Sequence, residues 1–277
     1  MKLTKIAVAV TLILSLCLCA LAGCAGGKRE PAATEPQAET EDLLAKIKDA
    51  GVITIAMEGT WAPWTYHDEA DALVGYDVVV GQKIAEKLGV EAQFIEGEWD
   101  GLLAGLEAGR YDIMINGVDV TPEREQKYAV STPYAYNRTA VIVRGDDDAI
   151  QTMEDLNGKH TANTISSTYA EVAEKYGATV TGVDDLNQTM ELLLSGRIDA
   201  TLNAEVTFYD YMKAHPDAGL KIAAIDPEQT SVAIPMRPGD KTATLLEAVN
   251  NALAELAANG ELKALSEKYF GTDISSN

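Results

Sequence analysis

The sequence predicts an α/β fold built as two lobes, with the chain crossing between them twice. Three observations predict it. From residue 42 onward short β-rich runs alternate with amphipathic helical stretches, as they do when strands lie parallel with helices between them. A second such series begins near Thr139. After residues 231–234 the pattern is helical only, and helices without strands of their own must pack on a layer already built, so they return to the first lobe. The expected division is 42–136 and 235–277 for lobe 1 and 137–234 for lobe 2, with crossings near 136–139 and 234–236. Two lobes joined twice leave a cleft that can close by hinge motion.

Ahead of the folded part stands a leader. Lys2 and Lys5 precede an apolar run over 6–18, and Leu21, Ala22 and Gly23 stand directly before Cys24. The run is too short and wrongly flanked for a spanning helix, so 1–23 reads as a signal peptide. The string LAGC resembles a bacterial lipobox, which implies cleavage before Cys24 and lipid on its sulfur. Of the three cysteines, Cys17 and Cys19 leave with the leader, so the mature domain has neither disulfide nor free thiol and rests on core burial. After Cys24, the segment to residue 41 is rich in Ala, Glu, Pro and Gly without an apolar period, and 24–41 reads as a lipidated cysteine and a disordered tether. The formal net charge is −21, and losing Lys2 and Lys5 makes it more negative by two. That balance argues against nucleic acid, whose binding relies on Lys and Arg.

In the first lobe, 43–50 reads as a helix stopped by Gly51, 52–56 as a strand, and 76–88 as an amphipathic helix closed by Gly89. A strand at 92–95, a helix at 101–108 ended by Gly109 and a strand at 112–115 follow. The most informative stretch is YDIMINGVDVTPER, 111–124. Asn116 and Gly117 interrupt the strand, Thr121 and Pro122 supply an N-cap hydroxyl and a first-turn proline, and Arg124 lies one turn into the new helix. Ligands of open α/β sheets bind beyond the carboxyl ends of strands, and a guanidinium can hold a carboxylate by two parallel hydrogen bonds. The expected ligand carries a carboxylate.

The second series reads as strands at 140–143, 159–162, 178–181, 198–202 and 231–234, with helices at 153–156, 169–176, 186–194 and 206–214. Helices at 245–258 and 262–269 close the chain.

The motifs EGTWAPW (58–64), LVGYDVVVGQKIAEKLGV (73–90), EWDGLLAGLEAGRYDIMINGVDVTPER (98–124), STPYAYN (131–137), LLLSGRIDATLN (192–203) and ELKALSEKYFG (261–271) form an ordered set. It resembles the extracellular solute-binding proteins of amino-acid ABC transporters, with the type II periplasmic-binding fold, over about 43–271. NTISSTYAEVAEKYGA, DLNQTMELLL and FYDYMKAHPDAGLKIAA look most like the cystine-binding branch. The resemblance implies an α/β fold of two Rossmann-like lobes, a free amino acid as ligand, ABC permease subunits as partners, no cofactor or metal, and a monomer held by lipid on Cys24 at the extracytoplasmic face of the cell membrane. It implies that Arg124 clamps the α-carboxylate and that Ser166, Ser167 and Thr168 face the same group from a helix start in lobe 2. Gly117 offers a carbonyl to the α-ammonium, Trp61 and Trp99 cover the side chain, and Glu58 meets its polar or cationic tip. Asn116, Asn203 and Glu205 complete the expected set, while Trp64 is assigned to core packing.

Two positions depart from the family pattern. A second-lobe Asp that usually pairs with the ammonium is Ala204 here, and a usual Ser or Thr is Asp119. An unpaired buried cation is costly, so Asp119 is expected to supply the carboxylate from the first lobe, with Glu205 as rival. Two other classes stay open: a dehydratase-like enzyme on this fold, for which Glu58, Asp119 and Glu205 are the only acid or base candidates, and a ligand-sensing domain acting on a separate partner. His67, His160 and His215 are too scattered to read as metal ligands.

Overall fold

A computed structural model of the chain describes residues 42–277, so the leader, Cys24 and the tether lie outside the described residues. Helix α1 (Leu43–Ala50) is capped by the Asp42 carboxylate and ends at Gly51 in the left-handed region. Strand β1 (Val52–Met57) follows, then a small antiparallel sheet of β2 (Thr60–Trp61), β3 (Thr65–His67) and β4 (Leu73–Val74). Strands of two or three residues carry no readable period, and the sequence gives no sign of them. Helix α2 (Tyr76–Leu88) has the expected bounds, with Gly89 at a φ of 75° as its C-cap.

Strand β5 (Glu91–Glu96), helix α3 (Trp99–Glu107), strand β6 (Ile113–Met114), helix α4 (Pro122–Lys127) and strand β7 (Ala129–Val130) complete the first pass through lobe 1. The long strand β8 (Ala135–Arg144) then leads into lobe 2. There the chain forms a 3-10 turn (Glu154–Leu156), β9 (His160–Asn163), α5 (Thr168–Lys175), β10 (Thr179–Gly182), α6 (Leu186–Leu194), β11 (Thr201–Ala204) and α7 (Glu205–Ala214). Strand β12 (Leu220–Val232) brings it back to β13 (Pro235–Met236), a 3-10 turn (Asp240–Thr242), α8 (Ala243–Ala258) and α9 (Glu261–Phe270).

The main sheet of lobe 1 has the order β5-β1-β6-β13-β7. Its first three strands are parallel, and β13 joins antiparallel to both β6 and β7. Of the closing helices, α8 packs on α1 and α2, and α9 on α2 and α8, with a further contact to α7 of lobe 2. Ion pairs from Lys83 to Glu261 and from Lys87 to Glu255 tie α2 to both.

Lobe 2 is less uniformly parallel than its helix–strand alternation suggests. Strands β9 and β10 are parallel, but β11 and β12 flank β8 antiparallel. The two connecting segments pair with each other, Ala135 opposite Val232 and Arg138 opposite Gln229. A bridge from Asp119 to Val232 joins this paired connector to lobe 1 beside the expected binding motif.

Candidate functional site

A cleft between the lobes is lined by residues of both. Its first-lobe wall grows out of the carboxyl end of β6. There the chain turns at Gly117 with a φ of 54°, and the Gly117 N–H donates to the buried Asp77 carboxylate at 2.6 Å. Asp77 also accepts from the Tyr134 hydroxyl at 2.8 Å, and burial pushes its carboxyl up to about 7. A Cβ at position 117 would stand 2.5 Å from the Trp61 ring, so glycine serves both the left-handed turn and the close approach of the indole.

Four residues on, Thr121 caps α4 by accepting from the Arg124 N–H. The cap aims the Arg124 guanidinium into the wall, where it is 7% exposed. It donates to the carbonyls of Asp119 at 3.0 Å and Ser166 at 3.2 Å and lies 5.4 Å from the centre of the Trp99 ring. Among the described residues it forms no salt bridge. Asp119, 3% exposed, is its counterpart of opposite sign. The Asp119 carboxylate accepts from the hydroxyls of Thr168 at 2.5 Å and Thr230 at 2.8 Å, and it too has no salt bridge among the described residues. Burial pushes its carboxyl up, against the two hydroxyls and the Arg124 charge, which pull it down.

The remaining wall of lobe 1 is Glu58, Trp61 and Trp99. Trp61 stacks on the fully buried Trp64 at 5.3 Å, which is in the core as expected. Glu58 is held by Asn116, whose amide donates to its carboxylate at 2.6 Å and accepts from its N–H at 2.7 Å. Burial first, then the nearby charges of Asp185 and Asp100, push the Glu58 carboxyl up to about 7. Asn116 therefore orients a wall residue and does not itself line the cleft.

Lobe 2 presents the carboxyl end of β9 and two helix starts. Ser167 and Thr168 line the cleft at the start of α5, with the Ser167 hydroxyl as its cap. Ser166 stands just outside: its N–H and hydroxyl both donate to Asp100, at 3.0 and 2.6 Å. Asn203 lines the cleft and accepts from the Trp61 indole at 3.2 Å. Glu205 does not reach it. Its carboxylate pairs with Arg138 at 2.7 Å and accepts from Tyr209, beside a separate depression. The pairing of β11 with β8 sets Ala204 opposite Thr139, which brings the neighbouring Arg138 to Glu205.

Asn163, Thr164, Tyr169, Asp185, Leu186 and Thr189 also line the cleft and were not singled out from the sequence. Asp185 is the N-cap of α6, and nothing local to it in the sequence indicates a cleft.

The hydrogen bonds from Thr168 to Asp119, Ser166 to Asp100, Trp61 to Asn203 and Trp64 to Thr207 all cross between lobes. They hold the lobes in a closed arrangement. Among the described residues no group of three or more His, Cys, Asp or Glu side chains is placed to hold a metal ion.

Comparison with known proteins gives a consistent set of likenesses. A family model described as bacterial extracellular solute-binding proteins, family 3, matches residues 53–272. The L-cystine-binding protein TcyA of Bacillus subtilis is 36% identical over 267 residues, 96% of this chain and 98% of that protein. Among solved structures, an ancestral arginine-binding protein bound to arginine is 33% identical with a TM-score of 0.74, covering 80% of this chain and 99% of that one. The L-cystine solute receptor of Neisseria gonorrhoeae, in an unliganded open conformation, is 39% identical but has a TM-score of 0.58, covering 85% and 99%. The better fit to the ligand-bound structure, at lower identity, agrees with the cross-lobe bonds.

Proposed function

The chain belongs to the bacterial extracellular solute-binding proteins, family 3, and on that premise we propose that it is the lipid-anchored substrate-binding component of an amino-acid ABC importer, holding L-cystine in the interlobe cleft and delivering it to transmembrane permease subunits. The matched relatives are named as binding or receptor proteins, and the chain is a binding protein rather than an enzyme.

One observation carries the choice of ligand class. Arg124 and Asp119 are buried charges of opposite sign in one cleft, and neither has a salt-bridge partner among the described residues. The α-carboxylate and α-ammonium of an amino acid complete both. Asp119 thus stands in for the acid that Ala204 lacks. Cystine in particular is supported by the cystine-binding names of TcyA and of the gonococcal receptor.

A thermal-shift screen of the purified protein against the amino acids and cystine tests the reading. At about a hundredfold excess over Kd, a ligand bound only by the folded state adds about 2.7 kcal/mol, which is about 5–10 °C in a domain of this size. A shift with cystine is the expected result. A shift confined to other amino acids discards cystine, and silence across the panel discards the class.

Glu58 faces the far tip of the ligand and makes its binding depend on pH. Because its folded pKa of about 7 lies above the ordinary 4.5, the folded state binds more protons between these values. The contribution of Glu58 to ligand-free stability therefore falls as pH rises through that window. A cationic tip favours the ionised form, so affinity for such a ligand should weaken about tenfold from about pH 8 to about pH 6. Glu58→Gln should flatten that profile in calorimetric titration; an unchanged slope would remove Glu58 from the role.

The leader and Cys24 complete the proposal. Removal of 1–23 and lipidation of Cys24 place the protein on the extracytoplasmic face of the membrane. Among the described residues no helix is long and apolar enough to cross a membrane. Cys24→Ala should move the protein from the membrane fraction to the soluble one, and retention in the membrane would exclude a lipid at this residue.

A further inference from the structure

Three residues bearing oxygen acceptors, Glu58, Asn163 and Asp185, line the cleft from both lobes, and the charges of Glu58 and Asp185 are near enough to act on each other. Asn163, 4% exposed at the carboxyl end of β9, has a side-chain oxygen with no hydrogen-bond partner among the described residues. Its orientation is fixed, because its amide nitrogen donates to the Leu202 carbonyl at 2.7 Å and that acceptor requires a donor. A buried unpaired carbonyl in a ligand cleft costs free energy until a donor reaches it. Asp185 lines the same cleft from the start of α6. One of its oxygens accepts from the Gln188 N–H at 2.9 Å, and the other takes no hydrogen bond among the described residues. Strand pairing brings the two to the same cleft: Gly182 of β10 lies opposite Asn163 of β9, and Asp185 follows three residues later. From lobe 1, Glu58 uses one oxygen for Asn116 and leaves the other free among the described residues. Arg124 is the only Lys or Arg lining the cleft among the described residues.

Three free acceptors, two of them carboxylate oxygens, match a group with three N–H donors and a positive charge. That group is an ammonium. We propose that Asn163 and Asp185 are specificity-determining residues which, with Glu58, form a socket for a second ammonium at the far end of the ligand, so that the chain selects amino acids carrying an ammonium at both ends. This rests on the amino-acid reading of Arg124 and Asp119 and narrows it. Lobe 1 grips the α-carboxylate and α-ammonium, and Asn163 and Asp185 reach the distal group from lobe 2. Distal recognition is therefore coupled to closure, since a ligand shifts closure only by binding the closed state better. L-Cystine satisfies the requirement through the ammonium of its second half.

Two mixed disulfides separate the distal groups of cystine. L-Cysteine joined to cysteamine keeps the distal ammonium and lacks the distal carboxylate; L-cysteine joined to 3-mercaptopropionate does the reverse. In calorimetric titration of the whole protein, the cysteamine disulfide should bind within about tenfold of cystine, and the mercaptopropionate disulfide at least about 30-fold more weakly. Asp185→Asn retains a side chain that caps a helix as well as Asp does, so the fold should persist. It should weaken cystine and the cysteamine disulfide about tenfold and leave the mercaptopropionate disulfide within about threefold. Asn163→Val should show the same pattern. Equal binding of the two disulfides, or equal weakening of both by Asp185→Asn, overturns the socket. If cystine does not bind but L-lysine does and L-norleucine does not, the cystine reading fails while the socket stands. If lysine and norleucine bind alike, the socket fails while the amino-acid reading stands.

Discussion

Arg124→Ala should abolish tight binding of every amino acid the protein takes, by a similar factor for each. The guanidinium is 7% exposed and held by the Asp119 and Ser166 carbonyls, with no salt bridge among the described residues. It is set to receive an anion, and the anion common to all amino acids is the α-carboxylate. Truncating one partner of a buried, hydrogen-bonded charge pair costs about 2–5 kcal/mol, a loss of about 30-fold to about 5,000-fold. Arg124→Lys should recover only part of this, since an ammonium cannot make two parallel bonds to one carboxylate. Titration of cystine and several other amino acids against both variants checks the claim. A loss confined to one ligand would place Arg124 at the side-chain end and reverse the orientation argued above.

Arg124 was legible because its neighbourhood is local. A hydroxyl, a proline and an acid in sequence specify a helix start, and Thr121 caps α4 as they dictate. Helices α1, α2 and α6 came out with their expected bounds for the same reason: Asp42, Gly89 and Asp185 are cap residues whose chemistry acts within one turn. The long strand β12 did not. It holds Pro227 and two register shifts against β8, between Ile222 and Ala224 and between Ile225 and Gln229. Such interruptions break the period-2 pattern by which a strand is read.

Within the site, what failed was inference from adjacency. Glu205 follows Ala204 in sequence and so looked like a replacement for the missing acid. Antiparallel pairing of β11 with β8 instead delivers it to Arg138. Asn163 and Asp185 carry no local signal, for the converse reason. They are 22 positions apart and reach the same cleft through the parallel register of β9 with β10. Cap chemistry is a property of four consecutive residues, whereas a cleft wall is a property of strand order.

Asp119→Asn should weaken amino-acid binding by about 30-fold or more while leaving ligand-free stability unchanged or raised. The two effects have one cause. In the folded protein the Asp119 carboxyl is buried, and burial pushes its pKa up despite the Thr168 and Thr230 hydroxyls. A raised folded pKa means that the folded state binds more protons than the unfolded one above the ordinary carboxylate range. The ionised carboxylate therefore lowers ligand-free stability near neutral pH, and a neutral amide removes that cost. The charge is useful only when an ammonium arrives to pair with it. Glu205→Gln should leave affinity within about twofold, because Glu205 and its partners Arg138 and Tyr209 all lie outside the cleft. Chemical denaturation without ligand and calorimetry with it measure the two halves separately. If Asp119→Asn lowers ligand-free stability and affinity together, Asp119 is a structural latch between Thr168 and Thr230 and not the ammonium partner. If it changes neither while Glu205→Gln abolishes binding, the acid has not moved across the cleft, and the ammonium contact must be sought in lobe 2.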